Sequence, residues 1–189
     1  MAGSCSPLLS ASEMVITLPG TFIVVLGHGV LIQGPSGIGK SDLALALIDR
    51  GHSQLVADDS VTFYRDQKDN IDGYCPPLLQ DFLEIRGLGI LNMRQMFGDQ
   101  ALCHHHSLNL LIQLTISPQL SDERLRGHAY SQTILNLLIP SVTLSPQRNL
   151  PPLIETMVRN HALRTSGYDA SQDFQQRQHQ LLGTSALCD

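Results

Sequence analysis

The chain has 189 residues, a formal net charge of −5 and 42% apolar residues, and only Lys40 and Lys68 among its twelve basic side chains are lysines. Length and apolar share suit one compact domain with its own core. No run of basic residues occurs, which argues against a protein that holds nucleic acid mainly through phosphates, and against an anionic membrane surface as partner.

The first dozen residues are rich in Ser and Ala, and residues 1–17 are expected to form a flexible tail. They lack the positive start and apolar run of a signal peptide, and no stretch approaches the roughly 18 apolar residues of a membrane span, so a soluble cytoplasmic protein is expected. Cys5, Cys75, Cys103 and Cys188 lie far apart and form no CxxC pair, the pattern of free thiols in a reducing compartment.

Two β-branched runs follow, at residues 22–26 and 30–33, with Gly27-His28-Gly29 between them as the predicted turn of a hairpin. Residues 42–50 place Leu43, Leu47 and Ile48 at helical spacing, with Gly51 as the stop. Residues 54–57 read as a short strand ending in Asp58-Asp59. Residues 61–64 and 71–74 read as strands around the polar turn 66–70. A strand at 82–85 leads into the Gly-punctuated Arg86-Gly87-Leu88-Gly89. Residues 108–116 form another apolar strand, 117–132 a polar loop, and 135–144 a further strand. Helical composition returns at 151–162 and 171–182, and 183–189 are expected to be a flexible tail. No internal repeat interrupts residues 18–182, which are expected to fold as one catalytic domain.

Between the second strand and the first helix stands Gly34-Pro35-Ser36-Gly37-Ile38-Gly39-Lys40-Ser41, a full match to GxxxxGK[ST]. Glycines let the backbone curl so that successive N–H groups point inward at phosphate oxygens. The helix that follows aims its positive end at the same place. Lys40 supplies charge to the β- and γ-phosphates of ATP, and the Ser41 hydroxyl is a ligand for Mg²⁺. A Gly-rich turn that merely happens to contain Lys-Ser would not need a strand before it and an amphipathic helix after it.

Asp58-Asp59 ends the strand that follows this helix, where P-loop folds keep an acidic residue near the metal and the γ-phosphate. Adjacent carboxylates on an extended chain point in different directions. One can hold Mg²⁺ through water while the other accepts the proton of an attacking hydroxyl.

Leu83-Glu84-Ile85-Arg86-Gly87-Leu88-Gly89-Ile90-Leu91-Asn92 sets a carboxylate and a guanidinium beside two glycines. This segment, the loop GPSGIGKS, the stretch RGHSQLVADDSV and the run RNLPPLIETMVRNHALRTSGYDAS together resemble the HPr kinase/phosphorylase family, in the same order from about residue 20 to 182. The resemblance implies an α/β, P-loop kinase-like domain with a mixed, strand-rich sheet and C-terminal helices. It implies ATP on Lys40 and the loop, Mg²⁺ on Ser41 and Glu84, and Asp59 as proton acceptor beside Asp58 when a protein serine is phosphorylated. Arg124 corresponds to a family arginine that acts at the reacting phosphoryl. The implied acceptor is a serine of the phosphocarrier HPr, and the implied assembly is a homo-hexamer.

The sequence also departs from that family. Pro19 stands where the family has a catalytic histidine, and His28 is a conceivable substitute. Ser145 stands where a lysine is expected in a stretch associated with phosphorolysis. The N-terminal domain of longer members is absent from these 189 residues, as in short forms. The expectation is a kinase whose phosphorylase function is eroded. Two other readings remain open: a P-loop kinase of a small metabolite, and a non-catalytic module that senses ATP. His104-His105-His106 is read as a polar patch rather than a metal site, because neighbouring strand residues face opposite ways. Ser171 is a candidate helix cap.

Overall fold

The computed structural model describes residues 14–116 and 130–185. In chain order the elements are β1 (Val15–Pro19), β2 (Thr21–Val25), β3 (His28–Gln33), α1 (Lys40–Asp49), β4 (Ser53–Ala57), β5 (Ser60–Arg65), β6 (Ile71–Tyr74), β7 (Phe82–Ile85), β8 (Gly89–Asn92), α2 (Met93–Phe97), β9 (His105–Leu114), β10 (Tyr130–Ile134), β11 (Leu137–Leu144), α3 (Leu150–Thr165) and α4 (Ala170–Ser185). Among the described residues nine strands form one mixed sheet, ordered β1-β5-β6-β9-β3-β2-β4, with β11 also pairing β9 and carrying β10 at its edge. β3, β9 and β11 run parallel, and the remaining pairs of this sheet are antiparallel. The expected strand-rich α/β class with C-terminal helices is the class observed.

Period-2 alternation sends the side chains of β2 and β3 to two different cores. Ile23, Val25, Val30 and Ile32 pack with Leu43, Leu47 and Ile48 of α1, Ile154 and Val158 of α3, and Leu83 and Ile85 of β7. Phe22, Val24 and Leu31 face the other way, onto Val61, Phe63, Ile71, Leu108, Leu111, Ile134 and Ile139. Phe22 and Phe63 meet edge to face with ring centroids 5.2 Å apart. Helices therefore cover one face, and the antiparallel strands curl over the other.

Four local expectations change. β1 begins at Val15, inside the segment expected to be a tail, because Val15 through Pro19 pair with β5 from Tyr64 to Ser60. The partner lies some 45 residues on, out of reach of any local pattern. The β2–β3 turn is Leu26-Gly27, both at positive φ (50° and 79°), and Val25 already pairs with His28. That is the two-residue turn whose twist suits a hairpin, so His28 is a strand residue. Tyr130, Ser131 and Gln132, expected in a loop, begin β10, whose exposed edge position explains their polarity. α4 continues to Ser185, past the point where its apolar pattern stops. Its cap is Asp169, whose Oδ1 accepts from the Ser171 amide at 2.8 Å, so Ser171 is not the cap.

Candidate active site

Residues 34–41 leave the C-terminal end of β3 and enter α1 as a wrapped loop. Gly34, Gly37 and Gly39 all have positive φ. At Gly37 the positive φ demands glycine, and a β-carbon there would also have to push aside the Arg86 guanidinium, which it would meet at 2.5 Å. The N-terminus of α1 has no side-chain cap, which leaves its first-turn N–H groups facing the loop's concavity. Lys40 Nζ donates to the carbonyls of Gly34 and Pro35, each at 3.3 Å, and so lies across the loop's mouth.

β4 brings Asp58 and Asp59 to this mouth. Its register against β2 skips from Phe22↔Ala57 to Ile23↔Leu55, a bulge that re-aims the strand's end. Asp59 has φ 62°, and the two carboxylates separate. Asp58 is buried, and its oxygens accept from Thr21 Oγ1 at 2.6 Å, Ser41 Oγ at 3.0 and 3.1 Å, and the Glu84 amide at 3.3 Å. Burial pushes its carboxyl above the usual carboxylate range, and the bonds from Thr21 and Ser41 pull it back. Asp59 is exposed and lines an open pocket with Ser36, Gly37, Gly39, Lys40, Ser41, Asp42, Glu84 and Arg86.

The β7–β8 hairpin supplies the opposite wall. Leu83 and Ile85 are buried in the helical core, and the alternation of a strand then presents Glu84 and Arg86 outward to the pocket. The hairpin's base is tied by Arg94, which forms a bidentate pair with Asp81 at 2.6 and 3.1 Å and a further bond to Asp99. Asn92 caps α2, accepting from the Gln95 amide at 3.0 Å. Arg94 is thus fully engaged with carboxylates. Arg86 has no carboxylate partner among the described residues, and its guanidinium faces the phosphate loop.

One pocket therefore gathers Ser36, Gly37, Gly39, Lys40, Ser41, Asp59 and Glu84 from three separate stretches of sequence. Gly34, Pro35 and Ile38 complete the loop beneath them. Asp58 stands behind Ser41 rather than in the pocket wall. Arg124 lies outside the described residues.

Sequence reasoning noted the Arg86 guanidinium without giving it a role of its own, and it passed over Thr21. The signal for Thr21 was a hydroxyl in an otherwise apolar strand. That for Arg86 was its period-2 partnership with Glu84.

His28 is at the wrong end of β3 to replace a catalytic histidine. Five strand steps separate it from Gln33, roughly 16 Å, and its ring meets that of His161 on α3 at 6.3 Å instead. Pro19 does sit at the rim, paired with Ser60 beside Asp59. Ser145 serves a turn: its hydroxyl accepts from the Gln147 amide at 3.4 Å and its carbonyl from the Arg148 amide at 3.3 Å.

Ser41, Asp58 and Glu84 offer only oxygen donors, the chemistry a hard divalent cation requires. Among the described residues no group of three or more His, Cys, Asp or Glu could enclose a metal alone. Oxygen donors at an open pocket fit a hard cation that keeps several waters, such as Mg²⁺. His104, His105 and His106 form no such group either. Cys75 and Cys103 are free, and burial pushes the Cys75 thiol up to about 12, which makes it inert. No helix among the described residues is long and apolar enough to cross a membrane.

The profile of the HPr Serine kinase C-terminal domain family matches residues 11–178. Proteins named HPr kinase/phosphorylase from Xanthomonas campestris pv. campestris and Xanthomonas oryzae pv. oryzae are 47% identical over 173 residues, covering 88% of this chain and 54% of theirs. The chain thus spans about half the length of these curated relatives. The solved structure of the Hpr(Ser) kinase/phosphatase from Coxiella burnetii superposes with a TM-score of 0.75 at 40% identity, covering 84% of this chain and 98% of that one.

Proposed function

Since the chain belongs to the HPr serine kinase C-terminal domain family, we infer that it is an ATP- and Mg²⁺-dependent protein serine kinase, acting on a serine of HPr or an HPr-like phosphocarrier. The observation that carries this reading is the pocket itself: a phosphate loop and an exposed carboxylate, Asp59, share one open mouth with Lys40, Ser41 and Glu84. The names of the relatives supply the acceptor class.

The loop amides, the start of α1 and Lys40 hold the β- and γ-phosphates of ATP. Ser41 and Glu84 hold the cation, with Asp58 fixing the Ser41 hydroxyl. When bound, Mg²⁺ neutralises charge on the phosphate oxygens. Asp59 accepts the proton of the incoming serine, a contribution of about 10²–10⁴-fold. Its exposure suits a residue that must meet a hydroxyl carried in by another protein. Arg86 adds positive charge over Gly37, and Arg124 is assigned by resemblance to the reacting phosphoryl. A cytoplasmic hexamer is the assembly this reading implies, with residues 18–182 as its catalytic domain.

Transfer runs mainly toward phosphorylation. Pro19, beside Asp59 at the rim, has no proton to exchange, and Ser145 carries no positive charge.

The reading is tested with Mg²⁺, γ-labelled ATP and three acceptors: HPr, small phosphorylatable metabolites, or none. Label on an HPr serine is the expected result. Label on a metabolite, or tight ATP binding with no transfer, would replace it with one of the two alternatives. With phospho-HPr and inorganic phosphate, pyrophosphate should form far more slowly than the kinase turns over. Comparable rates would show that phosphorolysis survives.

A further inference from the structure

Strand β2 reads Thr-Phe-Ile-Val-Val, and all five residues are buried. Thr21 is 0% exposed, so its hydroxyl must find a partner or remain unsatisfied in an apolar setting. The partner is Asp58, with Oγ1 donating to Oδ1 at 2.6 Å, the short distance of a hydroxyl bonded to an ionised carboxylate. The preceding residue reinforces the link. Gly20 N–H donates to the Asp59 carbonyl at 3.3 Å, so Gly20 and Thr21 grip both aspartates, one by backbone and one by side chain. Gly20 cannot be replaced without displacing this grip, since a β-carbon there would stand 2.7 Å from the Ile32 carbonyl.

We propose that Thr21 is a positioning residue for phosphoryl transfer: its hydroxyl fixes the Asp58 carboxylate, which in turn orients the Ser41 hydroxyl toward the cation. The inference rests on the function proposed above. A serine hydroxyl can give its proton to Asp58 while offering a lone pair to the metal, so the direction of that proton sets the direction of the ligand. Asp58 stays in place because β2, α1 and β7 each donate to it, through Thr21, Ser41 and the Glu84 amide. Ser41 must turn to its ligand, and the Glu84 bond is long. Among the described residues the Thr21 hydroxyl bonds nothing but Asp58, and its branched β-carbon restricts the hydroxyl's direction. Groups that orient a metal ligand in this way typically change metal affinity by about 10–100-fold when removed.

The test measures nucleotide binding by calorimetry, with and without Mg²⁺, on the whole chain. Thr21→Val removes the hydroxyl at nearly constant shape, Thr21→Ala is a second hydroxyl-free variant, and Thr21→Ser restores the hydroxyl. Thr21→Val should bind metal-free ATP like the parent chain yet need roughly tenfold more Mg²⁺ for its metal-dependent gain in affinity. Thr21→Ser should return to within about threefold of the parent. A folded hydroxyl-free variant with the parent's Mg²⁺ requirement would overturn the proposal. So would Thr21→Ser behaving like Thr21→Val, because packing rather than the hydroxyl would then matter. If the unmodified chain binds no ATP, the kinase reading fails first, which separates the two.

Discussion

The helix α1 has a cluster of charge at each end, and the two differ in how completely each charge is partnered. At its C-terminal end Arg50 and His52 converge on Glu155 of α3. Arg50 bonds both Glu155 oxygens, and His52 Nε2 lies 2.7 Å from Oε1. Glu155 is buried, and the hydrogen bond from Arg50 holds its carboxyl below the usual range. At the N-terminal end, among the described residues, Lys40 bonds only carbonyls, Arg86 faces the loop without a carboxylate, and Asp59 opens to solvent. A saturated cluster clamps two elements together. An unsaturated one leaves charge to spend on a substrate. The same helix joins the two, so the clamp holds the frame on which the site is built.

Substitutions can break this contrast, and the first acts on chemistry alone. Lys40→Ala should lower phosphoryl transfer by about 10²–10³-fold while leaving the urea midpoint nearly unchanged. A large fall in stability would show that Lys40 is a structural cation like Arg50.

Glu155→Gln should do the reverse. It removes the charge that Arg50 and His52 share, at a cost of about 1–3 kcal/mol, and lowers the melting temperature by roughly 2–4 °C for each kcal/mol in a chain of this size. Turnover per folded molecule should stay within about twofold in a stopped assay, since surviving chains keep the pocket.

The clamp also predicts a pH response. Glu155 titrates lower in the folded chain than in the unfolded one, so its stabilisation is complete above the unfolded carboxylate range and fades as pH falls through the depressed folded value. Thermal melts of the parent chain should weaken across that acidic window, and Glu155→Gln should flatten the slope.

The smallest effect is expected at His28, whose ring contacts His161 far from the pocket. His28→Ala should leave phosphorylation of the acceptor within about twofold. A loss comparable to that of Lys40→Ala would return His28 to the list of catalytic candidates.

How much was legible in the sequence follows the same divide between local and distant partners. The loop was legible residue by residue, because its geometry is written in consecutive glycines between a strand and a helix. Glu84 was legible through resemblance. Its reach to the pocket depends on Leu83 and Ile85 being buried in the core beside α1, which single-sequence pattern only hints at. Asp58 and Asp59 were found as a pair, but their separation into a buried and an exposed carboxylate depends on the β2–β4 bulge. β1 and β10 were missed because their partners lie elsewhere in the chain or beside polar sequence. Thr21 offered only one hydroxyl beside an apolar run, and its place in the site became legible with Asp58 2.6 Å away.

The division of labour between the two aspartates is what a single measurement tests most directly. Mg²⁺·ATP affinity and the rate of γ-phosphoryl transfer to HPr should be measured together on the parent chain and on Asp59→Asn. The proposed function predicts that Asp59→Asn keeps its Mg²⁺·ATP affinity within about threefold while transfer falls by about 10²–10⁴-fold. Transfer at the parent rate, or an equal loss of both affinity and rate, would contradict the assignment of Asp59 as the residue that takes the serine's proton.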